Sequence, residues 1–170
     1  MPMRRVAVFA GSAAPLSPTY ADAATRIGRL LAENGITLLT EGVMTGLEAM
    51  LVESAREAGG AVALLPRDPV LVEKADGFLA LPQGLLTFDE LFQLWSWQSP
   101  ADPEKPTGLL NVDGYFTALL KNESDAAVER FARETQRGML IVDPDPESLL
   151  RAMADFRPPE TRRLQSRDDR

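Results

Sequence analysis

The 170-residue chain contains neither histidine nor cysteine. Thiol nucleophiles, disulfides, zinc–thiolate centres and iron–sulfur clusters are therefore excluded. The commonest general base and the commonest transition-metal ligand are missing as well. Acid–base work falls to Asp, Glu, Lys, Tyr or solvent. Three loops hold suitable residues. In Phe9-Ala10-Gly11-Ser12-Ala13, Gly11 lets backbone come close to a ligand and Ser12 offers a hydroxyl, although the same residues make a plain tight turn. In Thr40-Glu41-Gly42-Val43-Met44-Thr45-Gly46, Gly42 and Gly46 frame a phosphate-sized turn that is neither G-x-G-x-x-G nor a Walker loop. Glu41 puts negative charge into that turn, or is a solvated loop acid. The third loop runs from Leu81 to Glu90, and its Thr87-x-x-Glu90 spacing is a capping box, in which the two side chains satisfy each other's backbone N–H groups. On that pattern alone Glu90 reads as structural before it reads as catalytic.

Each loop follows a short apolar run and opens a segment with helical spacing. Runs rich in Val, Leu and Phe predict buried strands at Val6–Ala10, Ile36–Thr40, Ala61–Leu65, Phe78–Leu81, Thr107–Val112 and Met139–Val142. Apolar residues at helical spacing predict helices over Tyr20–Glu33, Gly46–Ala58, Phe88–Gln98, Tyr115–Leu120, Asp125–Arg137 and Pro146–Phe156. Ser17-Pro18 caps the first and Asn34-Gly35 ends it. Strands alternating with helices imply βαβ units and an α/β, Rossmann-like three-layer fold with a central parallel sheet. In such sheets ligands bind beyond the carboxyl ends of the strands, where helix N-termini offer free N–H groups to anions.

The net charge is −7. Such a surface repels phosphate backbones and argues against a nucleic-acid partner. No apolar run approaches the ~20 residues that span a bilayer, which argues against a membrane. Val6–Ala10 is too short for the core of a signal peptide, so the expected location is cytoplasmic. The expected organisation is one domain over 1–156 and a charged, disordered tail over 157–170, where arginines and acids surround a single leucine. Asn122-Glu123-Ser124 is a chance match to a glycosylation acceptor in such a protein.

Several stretches together resemble the LOG ("lonely guy") family, the cytokinin riboside 5′-monophosphate phosphoribohydrolases once labelled lysine decarboxylases. They are Val8-Phe9-Ala10-Gly11-Ser12 with Tyr20, Gly46-Leu47, Lys105-Pro106-x-Gly108-Leu109-Leu110-Asn111-Val112-Asp113-Gly114-Tyr115-Phe116, and Asp143-Pro144-Asp145-Pro146-Glu147-x-Leu149-Leu150. The resemblance runs from Val6 to about Met153. It implies a dimeric Rossmann-like protein that hydrolyses the N-glycosidic bond of a nucleoside 5′-monophosphate with no metal or organic cofactor. The family motif P-G-G-x-G-T-x-x-E is matched at Pro82, Gly84, Thr87 and Glu90. The resemblance thereby makes Glu90 the catalytic carboxylate and Gly84 and Thr87 phosphate ligands, with Gly11, Ser12, Gly42 and Gly46 lining the same site.

The departures are equally definite. Gln83 and Leu86 replace two motif glycines. The G-G-G-x-x-G-L-M-G loop reads Glu41-Gly42-Val43-Met44-Thr45-Gly46-Leu47-Glu48-Ala49, so Glu41 and Glu48 bring acid towards a phosphate site. The family's helix with an Arg-Lys pair, whose arginine is catalytic, shrinks to the segment Pro66–Asp76, in which no arginine aligns and Arg67 and Lys74 are the nearby cations. Lys105 precedes a proline and shows no Schiff-base surroundings. Three readings follow: an active N-glycosidase with altered preference, a homologue that binds a nucleotide-like ligand without turnover, and a non-catalytic subunit of a hetero-oligomer, with Trp97 as a candidate contact. Homodimer and hetero-oligomer both stay open at this point.

Overall fold

A computed structural model of the chain describes residues 3–14, 17–66, 69–82, 105–121 and 140–157. The helices expected over Phe88–Gln98 and Asp125–Arg137, and the tail from residue 158 onward, lie outside the described residues.

Six strands form one all-parallel sheet: β1 (Arg5–Phe9), β2 (Thr37–Thr40), β3 (Val62–Leu64), β4 (Gly77–Ala80), β5 (Thr107–Leu110) and β6 (Leu140–Asp143). Their spatial order is β3-β2-β1-β4-β5-β6. This is the doubly wound arrangement, in which strand order reverses between β1 and β4. Register is continuous across that point, with Val6 opposite both Leu38 of β2 and Gly77 of β4. All six apolar runs are strands, but the outer two are not buried. Val62 and Ala63 of β3 are half-buried and Leu64 is exposed, and Val142 of β6 is exposed, because an edge strand is covered on one side only.

The central strands alternate between two apolar layers. Val6 and Val8 point to one face and pack with Leu38, Leu79 and Leu110 against α1 (Pro18–Glu33), α2 (Gly46–Glu57) and α4 (Pro146–Ala154). Ala7 and Phe9 point to the other, where Leu71 and Ala75 of the α3 (Pro69–Lys74) region meet Phe78. A further cluster of Ala80, Leu109 and Phe116 lies beside it.

The caps expected for α1 are present. Ser17 Oγ accepts the Thr19 N–H at 3.4 Å, Pro18 occupies the first turn, and Gly35 has φ of +65° just past the end. α1 and α2 approach closely at Gly28, where an added Cβ would lie 2.3 Å from the Leu51 carbonyl oxygen. The Ser54 hydroxyl donates to the Thr25 carbonyl across the same crossing. The segment expected to be helical over Tyr115–Leu120 opens instead as a 3-10 turn at Val112–Gly114, followed by helix at 117–121.

At the amino end of the sheet, Asp76 ties β1 to β4. Its Oδ2 accepts the Arg4 and Arg5 N–H groups at 3.0 and 2.9 Å, and its Oδ1 accepts from the Arg5 guanidinium at 3.0 Å. Partial burial pushes the Asp76 carboxyl upward, but the bonds from Arg5 and Arg4 outweigh it and hold the group below the usual aspartate range. The same bond raises the Arg5 guanidinium.

Candidate functional site

The reversal of strand order makes a crevice at the carboxyl ends of β1 and β4, and the described loops after β1, β2 and β5 leave the sheet at that end. Of the residues expected there, Gly11, Ser12, Gly42 and Gly46 are described. Gly84, Thr87 and Glu90, with Gln83, Leu86, Arg67 and Trp97, lie outside the described residues.

The first two loops are built against each other. Gly11 is buried, and its carbonyl accepts the N–H groups of Leu47 at 2.9 Å and Glu48 at 3.4 Å, which closes the first turn of α2. Ser12 stays exposed. Gly46 has φ of +58°, and a Cβ there would sit 2.4 Å from the Ala13 carbonyl oxygen and 2.5 Å from the Ser12 carbonyl carbon. Glycine is needed at 46 on both counts, for the backbone conformation and for the contact between loops.

Glu48 does not bring its acid to the surface. It is 3% exposed and folds back under the second loop. Its Oε1 accepts the Thr40 hydroxyl at 2.5 Å and the Gly42 N–H at 2.7 Å, while the Val43 N–H reaches Oε2 at 3.1 Å and Oε1 at 3.3 Å. The Gly42 amide is thus engaged by the chain's own carboxylate. Above this network Val43 is 51% and Met44 39% exposed, and Met44 is held at φ of +57°. Sequence reasoning missed this role of Glu48. Thr45-x-x-Glu48 has capping-box spacing, which signals a glutamate turned back on its own helix start. Thr45 makes no side-chain cap, however, and Glu48 reaches beyond it to residues 40–43.

On the β5 side, Asn111 organises the turn. Its Oδ1 accepts the Phe116 N–H at 2.7 Å, and its backbone N–H donates to the Asp143 carbonyl at 3.0 Å. Asp113 is exposed with φ of +50°. The Tyr115 ring meets Tyr20 edge to face, with centroids 6.2 Å apart, and Phe116 at 5.0 Å. This contact bridges the elements that follow β1 and β5, the two strands flanking β4.

Two lysines are placed away from the crevice. α3 runs from the carboxyl end of β3 to the amino end of β4, so Lys74 in its last turn lies at the opposite, amino end of the sheet. Lys105, just before β5, donates to the carbonyls of Val72 at 2.7 Å and Glu73 at 3.2 Å and so caps α3. Among the described residues no group of three or more carboxylates could hold a metal ion, and no helix is long and apolar enough to cross a membrane.

A cytokinin riboside 5′-monophosphate phosphoribohydrolase of Arabidopsis thaliana is 31% identical over 91% of this chain and 84% of its own length. A second Arabidopsis thaliana enzyme of the same name is 29% identical over 91% and 83%. Among solved structures, the molybdenum cofactor carrier protein of Chlamydomonas reinhardtii superposes with a TM-score of 0.67 at 18% identity, over 90% of this chain and 97% of that one. The molybdenum cofactor binding protein of Rippkaea orientalis gives 0.66 at 22% identity, over 91% and 98%. These two likenesses are of fold. The family model described as "Possible lysine decarboxylase" matches residues 23–153. With that match, and relatives alike along nearly its whole length, the chain belongs to the LOG family.

Proposed function

We propose that the chain is a nucleoside 5′-monophosphate phosphoribohydrolase that releases a free base and ribose 5-phosphate. The observation that carries this reading is its likeness, over nine-tenths of its length, to enzymes named for that reaction. The doubly wound sheet supports it, because its strand order reverses between β1 and β4, the kind of switch point at which such sheets bind ligands.

In this reading the Glu90 carboxylate stabilises positive charge on the ribose as the C1′–N bond breaks and orients the attacking water. The bond pair leaves with the base, the water oxygen bonds to C1′, and its proton goes to the departing base. Gly84 and Thr87 hold the 5′-phosphate from the loop after β4, with Gly11 and Ser12 on the facing side. Glu90→Gln keeps the shape and removes the charge, so it is expected to lower ribose 5-phosphate release at least 100-fold, the low end of general acid–base contributions, which run to about 10²–10⁴. Equal release by wild type and variant would leave Glu90 as a capping residue.

A second reading, ligand binding without turnover, is favoured by one observation. The β3–β4 connection that carries a catalytic arginine in the family is here a six-residue helix, and its Lys74 faces the other end of the sheet. A folded wild type that binds a nucleoside monophosphate and leaves it intact would establish this alternative.

A further inference from the structure

Glu48 is a buried acid that the reaction proposed above does not use. A carboxylate that is 3% exposed is costly to bury, and it persists where donors surround it. Its donors here are the Thr40 hydroxyl and the amides of Gly42 and Val43. Successive backbone N–H groups turned towards one point, with a glycine at φ of +84°, form the concavity that elsewhere holds phosphate oxygens. Next to it, the start of α2 is also occupied: the Leu47 and Glu48 amides donate to the Gly11 carbonyl and the Ala49 amide to Thr45. The Gly42 and Val43 amides, with those of Leu47, Glu48 and Ala49, are therefore engaged inside the chain. Outward the loop presents Val43, Met44 and Thr45, next to Gly42, which faces the exposed Leu64 of β3.

We propose that Glu48 is a charge-selectivity residue: its carboxylate stands in for a ligand anion in the loop after β2, so that this loop rejects phosphate and meets the uncharged part of a ligand. The inference rests on the phosphoribohydrolase reading only for the identity of the anion.

The test follows the amide resonances of Gly42 and Val43 while inorganic phosphate is titrated against chloride at matched ionic strength. In the wild type these two amides stay in place, whichever others move. In Glu48→Ala they are freed and shift saturably with phosphate. Glu48→Met, which fills the volume without an acceptor and matches the family's G-L-M-G, carries the same expectation if the alanine variant does not fold. Saturable movement of the Gly42 and Val43 amides in the wild type would overturn the proposal, as would their indifference to phosphate in a folded variant. Turnover is not read, so an inactive protein with these shifts would sink the enzymatic reading and leave this one standing.

Discussion

Single residues decide how the two loops beside β1 fit together, and Gly46 is the tightest of them. Any side chain there meets both a left-handed backbone, φ of +58°, and the carbonyl groups of Ser12 and Ala13 within 2.6 Å. Gly35 shares the conformation, at +65°, but faces open space. Gly35→Ala is therefore expected to cost only the backbone penalty, about 1–2 kcal/mol. Gly46→Ala should cost more, because backbone rather than a flexible side chain must move, and should disturb Ser12 as well. Denaturant unfolding of the two variants checks this, and equal losses would contradict the contact. Glu48 shows why such detail escapes a linear reading. In the sequence it looked misplaced beside an anion site, yet the fold turns it inward onto Thr40, Gly42 and Val43. Hydrogen bonds from a helix back to the end of the preceding strand and its loop leave no periodic trace.

At the scale of elements the reading was far more complete, since period and punctuation are local. The apolar runs became six parallel strands, and Ser17-Pro18 and Asn34-Gly35 bounded α1 as their chemistry dictates. Apolar content alone could not tell an edge strand from a central one, so β3 was read as buried. Strand order is equally invisible, because it depends on which crossover covers which face. The Asp76 link between the starts of β1 and β4 also belongs to this scale. Its carboxyl is held low in the folded state, so its contribution is present above the unfolded pKa of about 3.9 and is lost as pH falls through the lower folded value. Asp76→Asn should accordingly be less stable than wild type at neutral pH, with the gap closing below about pH 4. Urea melts across pH 2.5 to 7 would show it, and a gap that widens in acid would contradict the assignment.

For the molecule as a whole, the order β3-β2-β1-β4-β5-β6 fixes where chemistry is feasible. It sets the carboxyl ends of β1 and β4 side by side and sends Lys74 and Lys105 to the amino end of the sheet, where Lys105 caps α3. That distribution keeps Lys74 and Lys105 away from the described site. The candidate site itself was legible only as motif matches, since Glu90, Thr87 and Gly84 acquire a role from what they face and not from their spacing. The most direct measurement is product analysis on a panel of purine and pyrimidine 5′-monophosphates, each beside its unphosphorylated nucleoside. The account predicts equal amounts of free base and ribose 5-phosphate from at least one monophosphate, and no cleavage of the matching nucleoside. Intact nucleotides throughout the panel, with the protein folded, would contradict it.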